Sequence, residues 1–545
     1  MTDGDPTAFN LVDEPWLPAR TLTGESTVLS LADALGRAHT VSGLVCEVGT
    51  QAFSLTRLLL AVLHGALDGP RDIDEWERLW SQDRLPADKI ESYLDRYRDR
   101  FDLFHPRTPF FQVAGLRTAK GEVSELNKLV ADVPNGHPFF TTRLGGPLLL
   151  SCAEAARWLV HCHAFDPSGI KSGAEGDPRV KGGKGYPIGT GWSGNLGGVL
   201  PEGGTLRETL LLNLIAADSV ALRRDPALDV PEWERDPAGA SEEQDGGRAP
   251  TGPVDLYTWQ SRRIRLVREG DAVTAVLICN GERSAPQNKN LVEPHTAWRR
   301  SQAQEKKLRR PLVYMPREHL PERAVWRGLQ SLLPGAEKSQ GPDAAAFLSP
   351  AVLEWVAEVS DVIGPDYPVR LHTVGMVYGA QSSTTADILD DRLDLRSALI
   401  GRGAQALVQT ALDGVAAAEN GARAAGRLAF NLAAAAGAGK DERDGPRTRE
   451  SERVYAALDV EFRAWLHSLR AGTDPVSAAA AWHATADRLV RRAGSELLGQ
   501  APETAWSGRI VNGRLLNSSL ADQYFRVAVR DAFPFAYTDT TEAAS

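Results

Sequence analysis

Cysteine is scarce in this chain: four residues in 545, at positions 46, 152, 162 and 279, and no two of them form a C-x-x-C pair. Neither a disulfide framework nor a four-cysteine zinc site can be built from that spacing, and a reducing compartment is expected. No apolar run approaches the roughly 18 residues of a membrane span. The opening Met1-Thr2-Asp3-Gly4-Asp5 is acidic where a secretory or transit peptide would be basic, so a soluble cytoplasmic protein is expected. Positive charge is not in excess either: 61 Lys+Arg stand against 71 Asp+Glu, a formal charge of −10. A protein that coats nucleic acid with its whole surface is excluded by that balance. Walker A and G-x-S-x-G motifs are both missing, which removes support for ATP-driven and triad-type enzymes.

What is present is ordinary globular material. The hydrophobic fraction is 42% and the charged fraction 24%, and the length suits about two to four domains. Apolar residues at helical spacing mark Leu29 to Ala38 and Gln51 to Leu67 as core-packed helices. From about residue 100 to 290, Gly- and Pro-rich stretches alternate with short apolar runs such as Leu210 to Ala216 and Ala272 to Ile278. That is the texture of an irregular α+β domain with long functional loops. The acidic stretch from Pro226 to Pro253 reads as a mobile surface loop. Beyond residue 400, Ala404 to Ala436, Glu450 to Ala471, Pro475 to Leu498 and Leu515 to Phe533 read as helices with few strand signals, and the charged connection Gly437 to Arg449 reads as a hinge-like loop. The expected fold class is α+β: a large irregular mixed α/β N-terminal domain over residues 1–398, then an all-α four-helix bundle over 399–545.

Several constellations are candidates for chemistry. His161-Cys162-His163 with Asp166 has the spacing H-x-H-x-x-D of metal ligands, and a metal-dependent hydrolase using His161, His163 and Asp166 is one reading. A bland reading is stronger: the preceding Ala153 to Val160 segment looks like a core helix, whose C-terminal end favours histidine through the macrodipole. Gly189 to Gly194 matches G-x-G-x-x-G, but Asn195-Leu196-Gly197-Gly198 and Pro201 come next and open no helix, so the dinucleotide reading fails. Eleven of the 33 residues between Asp166 and Gly198 are glycine, interspersed with Lys171, Arg179, Lys181 and Lys184. Such a loop brings bare backbone and positive charge to an anion, or is simply a solvated flexible loop. From Arg262 to Arg310 twelve basic residues face five acidic ones, a patch able to neutralise phosphates or to dock an acidic protein.

Two motifs near the N-terminus carry a family resemblance. Phe9-Asn10-Leu11-Val12-Asp13-Glu14-Pro15-Trp16-Leu17-Pro18, then Arg100-Phe101-Asp102-Leu103-Phe104-His105-Pro106 with Pro109-Phe110-Phe111-Gln112, resemble the large subunit of the type I-E CRISPR Cascade surveillance complex. The likeness runs in order through the Gly-rich loop, the basic middle and the helical C-terminus. Pro15, Trp16, Phe104, Phe110 and Phe111 themselves read as core packing and loop anchoring. The resemblance implies a non-enzymatic subunit, needing no cofactor or metal, of an RNA-guided antiviral defence complex. Such a subunit recognises the protospacer-adjacent motif in duplex DNA, promotes strand opening and R-loop formation, and docks a helicase-nuclease. Its implied partners are the Cascade subunits that hold the crRNA, the double-stranded target and that nuclease, with no membrane; a purely structural assembly scaffold is the alternative. The second cysteines that some relatives place near Cys152 and Cys279 are missing here.

The resemblance also implies site residues. Its minor-groove glycine loop falls on Ser168 to Gly173, where Gly169 and Gly173 let the backbone approach base edges and Lys171 meets a phosphate. Its lysine finger lies nine residues before a tryptophan, which puts it on Lys289, beside Asn288 and ahead of Trp298. The strand-parting wedge falls within Tyr378 to Thr385, with Thr384 and Thr385 where an amide pair is expected and Gln381 displaced upstream. A DNA- or complex-binding loop covers Lys128 to Arg143, with Lys128, the Asn135-Gly136 turn and Phe139-Phe140 as anchors. Minor-groove readout separates mostly A·T from G·C, so several motifs should be tolerated.

Overall fold

Trp16 is fully buried and its indole N–H donates to the Leu11 carbonyl at 3.0 Å, so the N-terminal motif folds on itself before any regular element begins. The next segment, strand β1 (Leu17–Thr21), lies between β2 (Ser26–Leu29) and β3 (Val41–Leu44) in an antiparallel sheet. This computed structural model describes residues 8–131, 148–334, 346–401, 403, 405–511 and 513–537. Asn135 and Phe139, with their neighbours Gly136 and Phe140, lie outside the described residues.

Helix α1 (Gly49–Leu67) is buried on nearly every side, because it runs through the middle of its unit. Even Arg57 is enclosed, its guanidinium answered by Glu293 in two hydrogen bonds of 3.0 and 2.8 Å. A buried charge is tolerated only with such complete pairing. Helix α2 (Cys152–Phe165) packs on α1 and starts at a reciprocal cap between Ser151 and Glu154.

Three short strands then frame the Gly-rich region: β4 (Lys171–Ser172), β5 (Lys184–Gly185) and β6 (Gly198–Glu202). The antiparallel hairpin of β7 (Arg262–Glu269) and β8 (Ala272–Asn280) is the spine of one sheet, in which β8 also pairs β4 in parallel at Ser172 and Cys279. In a second sheet β6 is the neighbour of β9 (Pro368–Tyr378), which in turn pairs β10 (Thr385–Arg396). The acidic stretch from Pro226 to Pro253 departs from the expected free loop. Asp229, Glu232, Trp233 and Arg248 are buried within it, Arg224 pairs with Asp229, and Arg248 with Asp255. Several of its charges are used internally, which composition could not reveal.

The described residues up to Val325, with 346–362 and Pro368–Arg392, form one compact unit; 326–334, Ile363–Tyr367 and the chain from Leu393 onward form a second. In the second unit α3 (Gln405–Ala436) packs against α4 (Asp444–Ser468), α5 (Pro475–Gly499) and α6 (Ser518–Ala532). The alanines and glycines of α3 let aromatic rings approach its backbone: the Trp482 indole donates to the Gly414 carbonyl at 2.9 Å. A 3-10 turn covers Lys440–Glu442 and helix α4 starts at Asp444, so most of the expected hinge from Gly437 to Arg449 is helical. Two short strands, Arg509–Val511 and Arg514–Leu516, form a hairpin in the connection before the last expected helix, within a region expected to be all-α, and Asn517 then caps α6 through the Leu520 N–H. Among the described residues no helix is long and apolar enough to cross a membrane.

Candidate nucleic-acid interface

The candidate site starts where α2 ends. The Asp166 N–H donates to the Cys162 carbonyl, and the Asp166 side chain turns into the core. There Arg262, from the start of β7, meets Asp166 Oδ2 through Nε at 2.5 Å, while its Nη2 donates to the carbonyls of Pro167 (3.1 Å) and Gly189 (2.8 Å). Lys171 Nζ reaches the same Oδ2 at 2.6 Å. Burial pushes the Asp166 carboxyl upward, but the two cations and their hydrogen bonds outweigh it and hold it below the usual carboxylate range. Lys171 therefore clamps the loop from inside, and its charge is directed at Asp166 rather than outward.

The two glycines assigned to base approach differ. Gly169 has φ +134°, open to glycine and strained for other residues, and a Cβ there would rest 3.8 Å from Ser383 in the β9–β10 loop. Gly173 is buried; a Cβ would come within 2.6 Å of Val180 and 2.7 Å of the Gly183 backbone, so its role is packing. The hairpin tip is anchored by Tyr378, whose hydroxyl donates to the Phe165 carbonyl at 2.7 Å, and is closed by the Gly379 N–H on the Thr384 carbonyl. Gln381 sits exposed at the turn with φ +57°.

These anchors bring three separate sequence segments to one cavity of about 340 Å³. Lys128 contributes from one side, Gly169 and Lys171 from the second, and Thr384 and Thr385 from the third, over a floor that includes Phe165 and Ile278. Hydroxyls of Ser124, Ser168, Ser172 and Ser383 join the threonines, giving a wall rich in neutral donors and acceptors. Gln381 is not among the lining residues.

Lys289 and Asn288 stand elsewhere in the unit. Asn288 has φ +54° and uses its amide structurally, donating to the Leu312 carbonyl at 3.2 Å and accepting from the Tyr314 N–H at 2.7 Å. Lys289 is half-buried, burial lowers its pKa from the ordinary value, and no carboxylate pairs with it among the described residues.

The metal reading does not assemble. His161 Nε2 lies 3.0 Å from Thr50 Oγ1 and His163 Nε2 lies 2.8 Å from the Phe111 carbonyl, on different sides of α2, while Asp166 belongs to its two cations. Burial drives both histidines down to about 3, so they are neutral and the expected macrodipole benefit of a charged histidine does not apply. Among the described residues no group of three or more His, Cys, Asp or Glu could hold a metal ion, and all four cysteines are free.

The basic stretch from Arg262 to Arg310 also needs correction. Arg262 and Arg263 are 1% exposed, the latter paired with Glu282 at 2.6 Å. Arg283 is paired with Glu242, and Arg300 with Glu305. The sequence reads these as a surface patch that neutralises phosphates or docks an acidic protein; Arg262 is instead the keystone under the glycine loop. Its only sequence signal is its place in the apolar alternation of β7.

The geometry thus defines a class: a two-unit α+β protein whose candidate site is a hydroxyl-rich, loop-lined cavity, with a half-buried lysine apart from it. Comparison with known proteins then narrows the class. The family model described as CRISPR-associated protein Cse1 matches residues 10–493. The crystal structure of Thermobifida fusca Cse1 is similar at 47% identity and TM-score 0.90, covering 97% of this chain and 99% of that one. Cse1 from Acidimicrobium ferrooxidans is similar at 35% identity and TM-score 0.82, covering 97% and 98%. CasA/Cse1 of Thermus thermophilus is 32% identical over 400 residues, 71% of this chain and 70% of the relative. The chain belongs to the Cse1 family of CRISPR-associated proteins, which bears out the resemblance of the N-terminal motifs. A chain from a structure described as a CRISPR RNA-guided surveillance complex shares the fold at 20% identity and TM-score 0.65.

Proposed function

We propose that this chain is a non-catalytic subunit of an RNA-guided complex that recognises a short motif in duplex DNA beside the target, promotes strand opening and R-loop formation, and presents a docking surface to a helicase-nuclease. Its other partners in this reading are the crRNA and the subunits holding it, in the cytoplasm. The observation that carries the reading is the convergence of Gly169, with its bare backbone at φ +134°, and the β9–β10 hairpin tip on one cavity. A glycine backbone beside a projecting turn suits a base-pair edge approached from the minor groove next to a wedge that parts the strands. Lys289, half-buried and without a counter-ion among the described residues, adds a cation that remains available to an acceptor on the bases or backbone. Within the wedge, Thr384 and Thr385 line the cavity while Gln381 is exposed at the turn, which supports Gln381 as the side chain that enters the duplex in this reading.

The test uses the assembled complex and duplexes with and without the adjacent motif. Gly169→Asp should abolish motif preference, because the φ and the added carboxylate both oppose close approach, and Lys289→Ala should reduce affinity for motif-bearing duplexes roughly tenfold or more. Unchanged discrimination in both variants, with assembly intact, would favour the pure scaffold.

A further inference from the structure

We propose that the basic segment from Gln302 to Arg310 grips the phosphate backbone of the same duplex that Lys289 contacts, as a sequence-independent clamp. This rests on the function proposed above and adds a separate surface to it. The segment loops out between the paired strands Trp298–Arg300 and Tyr314–Pro316, and its short helix Gln302–Leu308 buries no residue at all. It therefore contributes little to the core. Lys306, Lys307, Arg309 and Arg310 are all exposed and make no ion pair among the described residues. The nearest carboxylate in the segment, Glu305, is taken by Arg300 at 2.7 Å.

Two features separate this patch from an ordinary solvated face. Lysines in a last helical turn gain from the macrodipole, which accounts for Lys306 and Lys307 but not for the arginine that ends the helix. Arg309 adopts φ +53°, the left-handed position where glycine or asparagine costs least. Folding alone would favour glycine there, so the guanidinium is kept at some expense to local stability. The second feature is the link to Lys289. Asn288 hydrogen-bonds to the backbone of Leu312 and Tyr314, which close the far side of the segment, so Lys289 and the four cations are carried by one hydrogen-bonded block. Duplex DNA presents about one negative charge per 1.7 Å of axis, a dense target for four cations within five residues.

The experiment measures binding of the assembled complex to duplexes with and without the motif between about 50 and 200 mM salt. The variant combines Lys306→Ala, Lys307→Ala, Arg309→Gly and Arg310→Ala. Each lost phosphate contact removes about 0.9 from the slope of log K against log salt, so the slope should flatten by about 3 to 4, with affinity falling equally on both duplexes and motif preference kept. Arg309→Gly alone should flatten the slope by about 1 without lowering the melting temperature, which separates lost contact from lost fold. An unchanged slope overturns the clamp, and so does failure of the variant to join the complex, which would mark the segment as a docking face for protein or RNA. A wild-type complex with no motif preference but a steep slope that the variant flattens would overturn the preceding reading and uphold this one.

Discussion

Arg262 and Arg309 stand 47 residues apart in one basic stretch and illustrate opposite uses of the same charge. Arg262 is 1% exposed, satisfied by Asp166 and by backbone carbonyls, and acts on the site only by holding its loop in shape. Arg309 is exposed, unpaired among the described residues and held in a conformation its side chain disfavours. A buried cation must be neutralised within the fold, so it is no longer available to a ligand; an exposed one is solvated and can exchange its water and counter-ions for phosphate. Counting charges along the chain merges these two roles, and burial separates them.

The contrast can be broken most directly at its buried end. Arg262→Ala strands Asp166 with a single partner and should cost about 3–5 kcal/mol, seen as a large drop in thermal stability and faster proteolysis between residues 166 and 190. A loss near the surface average would show that the keystone role is misjudged. Lys171→Ala should cost less, about 1.5–3 kcal/mol, because Arg262 still covers the carboxylate, and chemical denaturation would rank the two.

Titration sharpens the same comparison. His161 and His163 are pushed to about 3 by burial, so the unfolded chain binds their protons first, and stability should fall as pH drops from about 6.5 towards 3. Asp166, held below its ordinary value, adds a further loss at the acid end. His372 works in reverse: burial opposes its charge, but hydrogen bonds to Asp390 and Glu202 at 3.0 Å each prevail and raise its pKa. Its contribution is complete below 6.5 and is lost as pH rises through the elevated value, so His372→Gln should lower the melting temperature most below pH 6.5 and remove this residue's loss of stability on the rise above it. The smallest effect belongs to the exposed end: Lys306→Ala with Lys307→Ala should change stability by no more than about 0.5 kcal/mol by the same melts, while DNA affinity falls.

Some of this was legible from residue order alone. Gln51 to Leu67 has apolar residues at helical spacing, and α1 begins two residues earlier. The Ala- and Leu-rich C-terminal stretches yield their helices because propensity and pattern agree there. The hairpin from Arg509 to Leu516 was missed because its strands are three residues each, too short for alternation to register. Around the candidate site, three of the segments named from the resemblance meet, at Lys128, Gly169, Lys171, Thr384 and Thr385, while Asn288 and Lys289 stand apart. Their individual roles were less legible: Gly173 packs on Gly183, Asn288 ties down a turn, and Lys171 faces Asp166, contacts with partners 10, 24 to 26, and 5 residues away in the chain.

By itself the sequence determined the family, the α+β class and the helical C-terminal region, and it named three segments that line the candidate cavity, since motifs, periodicity and composition are local properties of the chain. Only the tertiary structure decided which charges are spent inside and which face outward. Arg262 lies 96 residues from Asp166, and the solvation of a side chain depends on neighbours that are distant in sequence and adjacent only after folding.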